Sequence, residues 1–232
     1  MKFFEFFGMP GAGKTYTIRN LKKDSLDLSI MNKFFVFEKR SKNSILVKTF
    51  YIFLASFLFI NTSYLKKIII FFKNFYKPKK SEIISIRTLS ILFNTIFLVS
   101  IIRIYALFKN NKNIFIDQGF FQILFSILYE MELKNKDIKK SLIKNWLSIP
   151  LSLKKNIYVV YFESEKKIIL KRLSYRNGDS ILERKENLKN LKIYEDIFDQ
   201  IIDFLVKENE KYPNIYLKRI TRFESHMDLL KL

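Results

Sequence analysis

The sequence predicts an α/β fold with a five-stranded parallel sheet that is flanked by helices on both faces. Short apolar stretches rich in aromatic and β-branched residues alternate with longer stretches of helical character along the 232 residues. Such alternation is typical of a parallel sheet whose strands are joined by helices. In addition, three of the five glycines follow directly on the first apolar stretch. The predicted strands are residues 2–7, 33–38, 113–117, 156–162 and 214–220.

The segments between these strands predict helices. One begins at Lys14, and others cover 45–77, 81–109 and the stretch "GFFQILFSILYEM". In the long helix predicted for 185–208, one face is apolar, formed by Leu188, Leu191, Phe198, Ile201 and Leu205.

Two further helices are predicted in the second half of the chain. In "DIKKSLIKNWLSI", Ile138, Leu142 and Trp146 recur every four residues, which predicts an amphipathic helix with Trp146 in the core. We expect Pro150 to end that helix, because proline disrupts a helix interior. In "SEKKIILKRLSYR", the spacing of Ser164 and Lys167 predicts a weak capping box without its usual acid.

The length predicts a single domain, residues 1–232, in which the region 45–110 is unusually apolar and helical. Two stretches of that region are apolar enough to be candidate membrane spans. Residues 49–60 are too few to cross a bilayer, and 91–108 carry Arg103 at mid-span, which is costly in lipid. We expect both to be buried helices, and peripheral membrane contact stays open. Glu5 interrupts the first apolar run, so no signal peptide is predicted and a cytoplasmic location is expected.

The composition excludes several kinds of chemistry. The chain has no cysteine, and its one histidine, His226, lies near the end of the sequence. Disulfides, thiol nucleophiles, cysteine-bound metals and histidine-based triads are therefore excluded. The net charge of +20 is consistent with anionic partners, or with a compositional bias spread over solvated faces. No recognition motif accompanies the charge, so nucleic acid is not the expected partner.

The glycine cluster fits the phosphate-binding P-loop pattern, from Gly8 to Lys14 and Thr15. Glycines allow the backbone to wrap round a phosphate, and the next helix presents its positive end. Lys14 would bridge the β- and γ-phosphates, and the Thr15 hydroxyl would bind Mg²⁺. This pattern predicts a three-layer P-loop NTPase fold that binds ATP. The predicted nucleotide contacts are Gly8, Pro10, Gly11, Ala12, Gly13, Lys14, Thr15 and Tyr16.

Two further groups are candidates for catalysis. Asp117 lies at the end of a predicted strand, where parallel sheets bind ligands. It is predicted to hold Mg²⁺ or to accept a proton from an attacking hydroxyl, the alternative being a helix N-cap. Arg172 and Arg176 lie four residues apart, so on one helix face they would form a clamp for ATP phosphates. A solvated basic helix is the alternative interpretation of these two arginines.

The order of these parts resembles the thymidylate kinase-like branch of the nucleoside monophosphate kinases. The matching parts are the strand and P-loop, the Asp-Arg-type motif after the third strand (here Asp117-Gln118), and the strand leading to an arginine helix with Arg172 and Arg176 at the lid positions. Past the lid positions, "DSILE" and Tyr194 on the long helix also resemble the family pattern. The resemblance spans most of the chain, and only the P-loop is specific. It implies a phosphotransferase that uses ATP and Mg²⁺ on a small acceptor.

The chain departs from the family pattern at two positions: Phe7 stands where an acid is common before the P-loop, and Gln118 replaces an arginine. The loss of arginines that would grip the acceptor phosphate favours a neutral hydroxyl acceptor, such as a nucleoside, a sugar or a polysaccharide precursor, over thymidylate. The residues predicted to contact the acceptor are Arg40, Arg103, Gln118 and Gln122.

The sequence therefore leads to two hypotheses. The first is an ATP-dependent kinase that transfers the γ-phosphoryl group to a small acceptor, such as a nucleotide, a nucleoside or a sugar. Its predicted catalytic residues are Lys14, Asp117, Arg172 and Arg176. The second is a P-loop ATPase that couples to a membrane or protein partner, suggested by the apolar region 45–110. The resemblance also leaves a homodimer open.

Overall fold

The computed structural model describes residues 2–14, 16–17, 29–31, 63–75, 91–92, 94–96, 98–100, 102, 114–116, 119–133, 140–153, 155–174 and 191–220. The strands are β1 (Lys2–Gly8), β2 (Ser29–Met31), β3 (Ile114–Ile116), β4 (Asn156–Phe162) and β5 (Ile215–Ile220). The longer described helices are α1 (Ser63–Phe75), α2 (Phe120–Leu133), α3 (Lys140–Leu151), α4 (Lys166–Ser174) and α5 (Leu191–Lys207).

The five strands form one parallel sheet in the order β2-β3-β1-β4-β5. The predicted α/β architecture with a five-stranded parallel sheet is confirmed. Strand β1 lies at the centre, paired with β3 on one side and β4 on the other, so the loop that follows Gly8 leaves from the middle of the sheet. The edge strand is Ser29–Met31, whereas the strand predicted for 33–38 lies outside the described residues.

The central strand is buried because its aromatic side chains alternate between the two faces of the sheet. Phe4 and Phe6 belong to a buried cluster with Phe115 and Phe162 on one face. Phe7 points to the other face, where its ring lies 4.7 Å from that of Phe198 on α5. Glu5 therefore points to the same face as Phe7, towards α2 and α5.

Four aromatic rings stack across four neighbouring strands. Phe115, Phe4, Tyr158 and Tyr216 occupy paired positions, with successive ring centroids 4.8, 4.9 and 4.8 Å apart and interplanar angles of 10°, 20° and 16°. The Lys2 ammonium lies 5.4 Å from the centre of the Tyr158 ring. Stacked cross-strand pairs add stability beyond the area that they bury.

We expect Tyr158→Leu to lower the free energy of unfolding by about 1–3 kcal/mol, since it removes two stacked pairs while keeping an apolar side chain. Tyr216→Leu is the matched control, because Tyr216 is 43% exposed and belongs to one of these pairs. We expect Tyr216→Leu to lower the free energy of unfolding by about half as much as Tyr158→Leu. Urea denaturation of both variants measures the difference. Equal losses would show that the Phe4–Tyr158 pair adds no stability.

The predicted apolar face of the long C-terminal helix is confirmed for its described part. Leu191, Phe198, Ile201 and Leu205 are all buried, whereas Leu188 lies outside the described residues. Helix α2 packs against α5 through Phe125, whose ring lies 4.4 Å from that of Phe198. Tyr194, also buried, has its hydroxyl 3.4 Å from that of Tyr129 on α2.

The chain divides into two compact units, one with residues 1–32, 112–137 and 155–232, the other with 33–111 and 138–154. The first unit holds the sheet, α2, α4 and α5. In the second unit, α1 packs on α3 through Phe71 and Trp146, whose ring centroids lie 5.0 Å apart. Trp146 is fully buried, as predicted, and the single-domain prediction for 1–232 stays a prediction.

The structure corrects the predicted details of α3. The buried face is not the one with Leu142, which is half-buried, but the one with Ile143, Trp146 and Leu147. Pro150 does not end the helix, which continues to Leu151. Pro150 is the penultimate residue, so its missing N–H costs one hydrogen bond at a point where the helix ends anyway. The Pro150 carbonyl then accepts from the N–H of Leu153 at 3.0 Å.

In the described part of the apolar region, Leu98, Val99 and Ile102 are helical and buried, as predicted. Residues 49–60 lie outside the described part. Among the helices that the structure describes, none has both the length and the apolar character needed to cross a membrane.

Candidate nucleotide-binding site

The loop after β1 has the backbone that the glycine pattern predicts. Gly8, Gly11 and Gly13 have φ angles of 143°, 84° and 109°, a region that residues with a Cβ rarely adopt. A Cβ on Gly8 would also lie 2.7 Å from the carbonyl oxygen of Phe162 at the end of β4. Substitution of these glycines would therefore change the course of the loop.

The loop leads directly into a helix, as a phosphate site requires. The N–H of Thr17 donates to the Gly13 carbonyl at 3.1 Å, so the helix begins at Lys14. The N–H of Ala12 donates to the Met9 carbonyl at 3.1 Å, which closes the turn before the helix. The loop therefore faces the positive end of a helix, which favours a bound anion.

Lys14 is folded back over this loop. Its ammonium donates to the carbonyl oxygens of Gly8 at 2.5 Å and Met9 at 2.9 Å. The charge is thus placed within the span of the loop, where a phosphate group would meet it. The glycine backbone and the Lys14 ammonium are therefore together suited to an anionic ligand such as a phosphate group.

Two side chains from the segment after β4 also bind the loop. Arg172, on α4, donates from Nη1 to the Gly11 carbonyl at 2.9 Å. The hydroxyl of Ser164 donates to the Ala12 carbonyl at 3.3 Å, across 152 residues of sequence. The predicted capping role of Ser164 is wrong. The first hydrogen bond of α4 runs from the N–H of Ile169 to the carbonyl of Glu165, and the Ser164 hydroxyl binds the loop instead.

Several predicted site residues are thus brought together by the structure: Gly8, Pro10, Gly11, Ala12, Gly13, Lys14 and Arg172. Tyr16 is 57% exposed on the helix that follows the loop. Gln122 lies on the first turn of α2. The remaining predicted residues lie outside the described part of the chain, namely Thr15, Arg40, Arg103, Asp117, Gln118 and Arg176.

The predicted Mg²⁺ ligands, Thr15 and Asp117, are among those residues, so the magnesium site stays a prediction. A hydroxyl and a carboxylate are ligands that suit Mg²⁺. Within the described residues, no group of three or more histidine, cysteine, aspartate or glutamate side chains could hold a metal ion.

A buried carboxyl group that the sequence pattern does not place in the site lies on β1, three residues before Gly8. Glu5 is 1% exposed, and its Oε1 accepts from the N–H groups of Phe121 at 2.6 Å and Gln122 at 3.1 Å. Its Oε2 is buried and forms no hydrogen bond within the described part of the chain. The available signal was one acid in an otherwise aromatic strand, since such a residue is rarely buried without a specific partner.

Burial raises the pKa of the Glu5 carboxyl to about 8, although the N–H groups of Gln122, Phe121, Phe120 and Gly119 act in the opposite direction. The folded protein therefore keeps a proton on Glu5 that the unfolded chain loses above its ordinary pKa of 4.5. A group that binds its proton more tightly when folded stabilises the fold most at low pH.

We therefore expect the free energy of unfolding to fall as the pH rises from about 4.5 to about 8, by up to about 1.4 kcal/mol per pH unit from Glu5 alone. Glu5→Gln should remove this slope, because the amide accepts the same N–H groups and does not titrate. Denaturant unfolding between pH 5 and 8 measures it, with Glu210→Gln, an exposed site, as control. Equal slopes in the wild type and Glu5→Gln would contradict the expectation.

A cavity of about 430 Å³ opens beside the loop, at the carboxyl end of β4. Carboxyl groups dominate its charge, because Glu163, Glu195, Asp196 and Asp199 line it together with Lys166 and Lys192. Lys166 is already paired with Glu195 at 3.4 Å. Burial, and then the neighbouring carboxylates, raise the pKa of Asp199. Burial likewise raises the pKa of Tyr161, in the cavity wall, to about 12, with Asp199 as the next cause. This cavity therefore disfavours an anionic ligand.

Comparison with solved structures shows the fold. A deoxyadenosine kinase from M. mycoides, with products dCMP and dCDP bound, matches 100% of this chain and 97% of its own, with 14% identity and a TM-score of 0.50. The same enzyme with dATP gives 15% identity and a TM-score of 0.47 over the same coverage. A thymidylate kinase from Candida albicans gives 13% identity and 0.46, with 99% and 89% covered.

No protein-family model matches the chain, and no curated protein matches it. The chain shares the overall fold of this deoxyadenosine kinase, with a glycine loop after the central strand of a parallel sheet. At this level of identity the likeness extends to the fold alone.

Proposed function

We propose that this protein is an ATP-dependent phosphotransferase that moves the γ-phosphoryl group of ATP to a hydroxyl group of a small acceptor. The observation that carries the proposal is the loop at the centre of the sheet, where Lys14 and Arg172 converge on a glycine backbone of P-loop geometry. Two cations on one phosphate-sized loop are what phosphoryl transfer needs, because its catalysis is mostly positioning and charge stabilisation.

The described residues have distinct roles in this proposal. The loop backbone holds the ATP phosphates, and Lys14 moves from the carbonyls of Gly8 and Met9 to the phosphate oxygens. Arg172 exchanges the Gly11 carbonyl for the transferred phosphoryl group, a bond that suits a guanidinium. Ser164 keeps its bond to Ala12 and so holds the loop in place. Mg²⁺, held by Thr15 and Asp117 when bound, would neutralise phosphate charge, and Asp117 and Arg176 would complete the site.

The charge of the neighbouring cavity supports a neutral acceptor. Its carboxylates at Glu163, Asp196 and Asp199 would repel a monophosphate, whereas hydroxyl and amino groups could donate to them. The sequence departs from the thymidylate kinase pattern in the same direction, since Gln118 stands where an arginine is expected. Nucleosides and sugars are therefore the acceptors that we favour over nucleotides.

The experiment is ADP release from Mg·ATP, measured for the purified protein with three separate pools: nucleosides, sugars with their nucleotide-linked forms, and nucleoside monophosphates. We expect release that depends on an acceptor from one of the first two pools. Release with monophosphates alone would overturn the inferred neutral acceptor. If the rate of ADP release is the same with and without each acceptor pool, the coupled ATPase would be favoured instead.

A further inference from the structure

We propose that Glu5 is a positioning residue for the phosphoryl-transfer site, because it fixes both ends of the two-residue connection, Asp117-Gln118, between β3 and α2. The catalytic consequence of this inference rests on the proposed function. Its structural part does not, and the two can be tested separately.

One end of the connection is fixed by the sheet. In the parallel pairing of β1 and β3, Glu5 lies opposite Ile116, the last residue of β3. Asp117 is the next residue of the chain. The backbone of Glu5 therefore lies beside the point where the connection begins.

The other end is fixed by the side chain of Glu5. Its Oε1 accepts two N–H groups from the first turn of α2, those of Phe121 and Gln122, at 2.6 and 3.1 Å. Gly119 lies so close that a Cβ at this position would clash with Cδ and Oε2 of Glu5. A carboxyl group that lies 116 residues away in sequence thus satisfies the start of this helix.

The close approach of Glu5 to Gly119 leaves little room for the first turn of α2 to move. Only Asp117 and Gln118 separate Ile116 from Gly119, so a shift of the first turn of α2 would be passed directly to Asp117. The acid that precedes the P-loop in the thymidylate kinase pattern is replaced here by Phe7. Glu5 is two residues earlier and points to the same face, so its carboxyl acts on the site through α2 and not by contact with the loop.

The contact between Glu5 and α2 leaves two buried oxygens without a partner, which helix capping alone does not explain. Glu5 Oε2 and Gln122 Oε1 are both buried and form no hydrogen bond within the described part of the chain. A buried polar oxygen without a hydrogen-bond partner is costly, and such groups occur at sites with a functional constraint.

The test uses Glu5→Gln, Glu5→Ala, Gly119→Ala and the double variant Glu5→Ala/Gly119→Ala in the full chain. Hydrogen exchange measures protection of the Phe121 and Gln122 amides, and steady-state kinetics separates kcat from the KM for ATP. We expect Glu5→Ala to speed exchange at both amides at least about tenfold and to lower kcat by about 10- to 100-fold, with the KM for ATP unchanged. Glu5→Gln should keep the protection and most of kcat.

The double variant tests the contact itself. Gly119→Ala should damage the site as much as Glu5→Ala, because its methyl group displaces the carboxyl. Once the carboxyl is absent, the same methyl group should have little further effect, so the two changes would be non-additive. If Glu5→Ala does not fold, the contact is tested by comparing Gly119→Ala with Glu5→Gln in amide exchange at Phe121 and Gln122 and in kcat.

Three results would overturn the inference. Unchanged exchange at Phe121 and Gln122 in Glu5→Ala would show that the carboxyl does not hold the turn. Faster exchange with unchanged kcat would reduce Glu5 to a structural cap. Absence of phosphoryl transfer in the wild-type protein would remove the catalytic role along with the proposed function, while the exchange data would still support or overturn the contact.

Discussion

Lys14→Ala is expected to lower acceptor-dependent turnover by about 10³-fold while leaving the fold intact. The Lys14 ammonium lies within 2.9 Å of two loop carbonyls, at the place where transferred negative charge would have to be stabilised. Alanine removes that charge but keeps the helix that begins at this residue, because alanine is the best helix former. Turnover under saturating Mg·ATP and acceptor measures the loss.

Lys207→Ala is the matched control for Lys14→Ala. Lys207 is an exposed lysine at the far end of α5, 3.8 Å from Asp203, and its loss should leave turnover unchanged. Comparable turnover in Lys14→Ala and the wild type would mean that the loop does not bind the reacting phosphates, and the assignment of roles would be wrong.

Arg172→Ala is expected to lower kcat by about 10³-fold, with a smaller change in the affinity for ATP. Arg172 is the described cation that reaches the loop from α4, through its bond to the Gly11 carbonyl. In our proposal this guanidinium moves to the transferred phosphoryl group, so its effect should be larger on the transition state than on binding. Steady-state kinetics gives kcat, and equilibrium titration gives the affinity.

Two further variants sharpen this prediction. Arg172→Lys should recover little of the lost rate, since an ammonium does not offer the planar, two-point contact of a guanidinium. Lys167→Ala, an exposed cation on the same helix, should behave as the wild type. If Arg172→Ala weakened ATP binding and left kcat unchanged, Arg172 would bind the nucleotide without stabilising the transferred phosphoryl group, and its proposed role would be wrong.

The parts of the fold that sequence predicted well are those set by local pattern. β4 and β5 have the predicted bounds to within a residue, and the glycine loop lies directly after β1. Burial of alternate residues in strands and of every third or fourth residue in helices is visible in a single sequence. The apolar face of α5 follows from that rule.

The errors arose where the partner is distant in the chain. The sequence pattern predicts that Ser164 caps its own helix, whereas its hydroxyl binds the carbonyl of Ala12, 152 residues away. In the sequence, Glu5 only interrupts an apolar run, whereas its partners in the fold are the N–H groups of Phe121 and Gln122. Local pattern contains no information about such pairs, because tertiary packing alone brings them together.

The candidate site shows the same division. Lys14 and its glycines could be predicted from a motif in which all the members are neighbours, and Arg172 from its place after β4. That Arg172 binds the Gly11 carbonyl, and that the adjoining cavity is acidic in a chain of net charge +20, required the three-dimensional arrangement.

The most direct test of the central claim is transfer of label from [γ-³²P]ATP, with Mg²⁺ and the nucleoside and sugar pools, by wild-type protein and Lys14→Ala. The account predicts that the label moves to an organic acceptor in the wild-type reaction, and that this product is absent with Lys14→Ala. Label found only in inorganic phosphate, or retained in ATP with every pool, would contradict the claim that the loop transfers phosphoryl groups to a small hydroxyl acceptor.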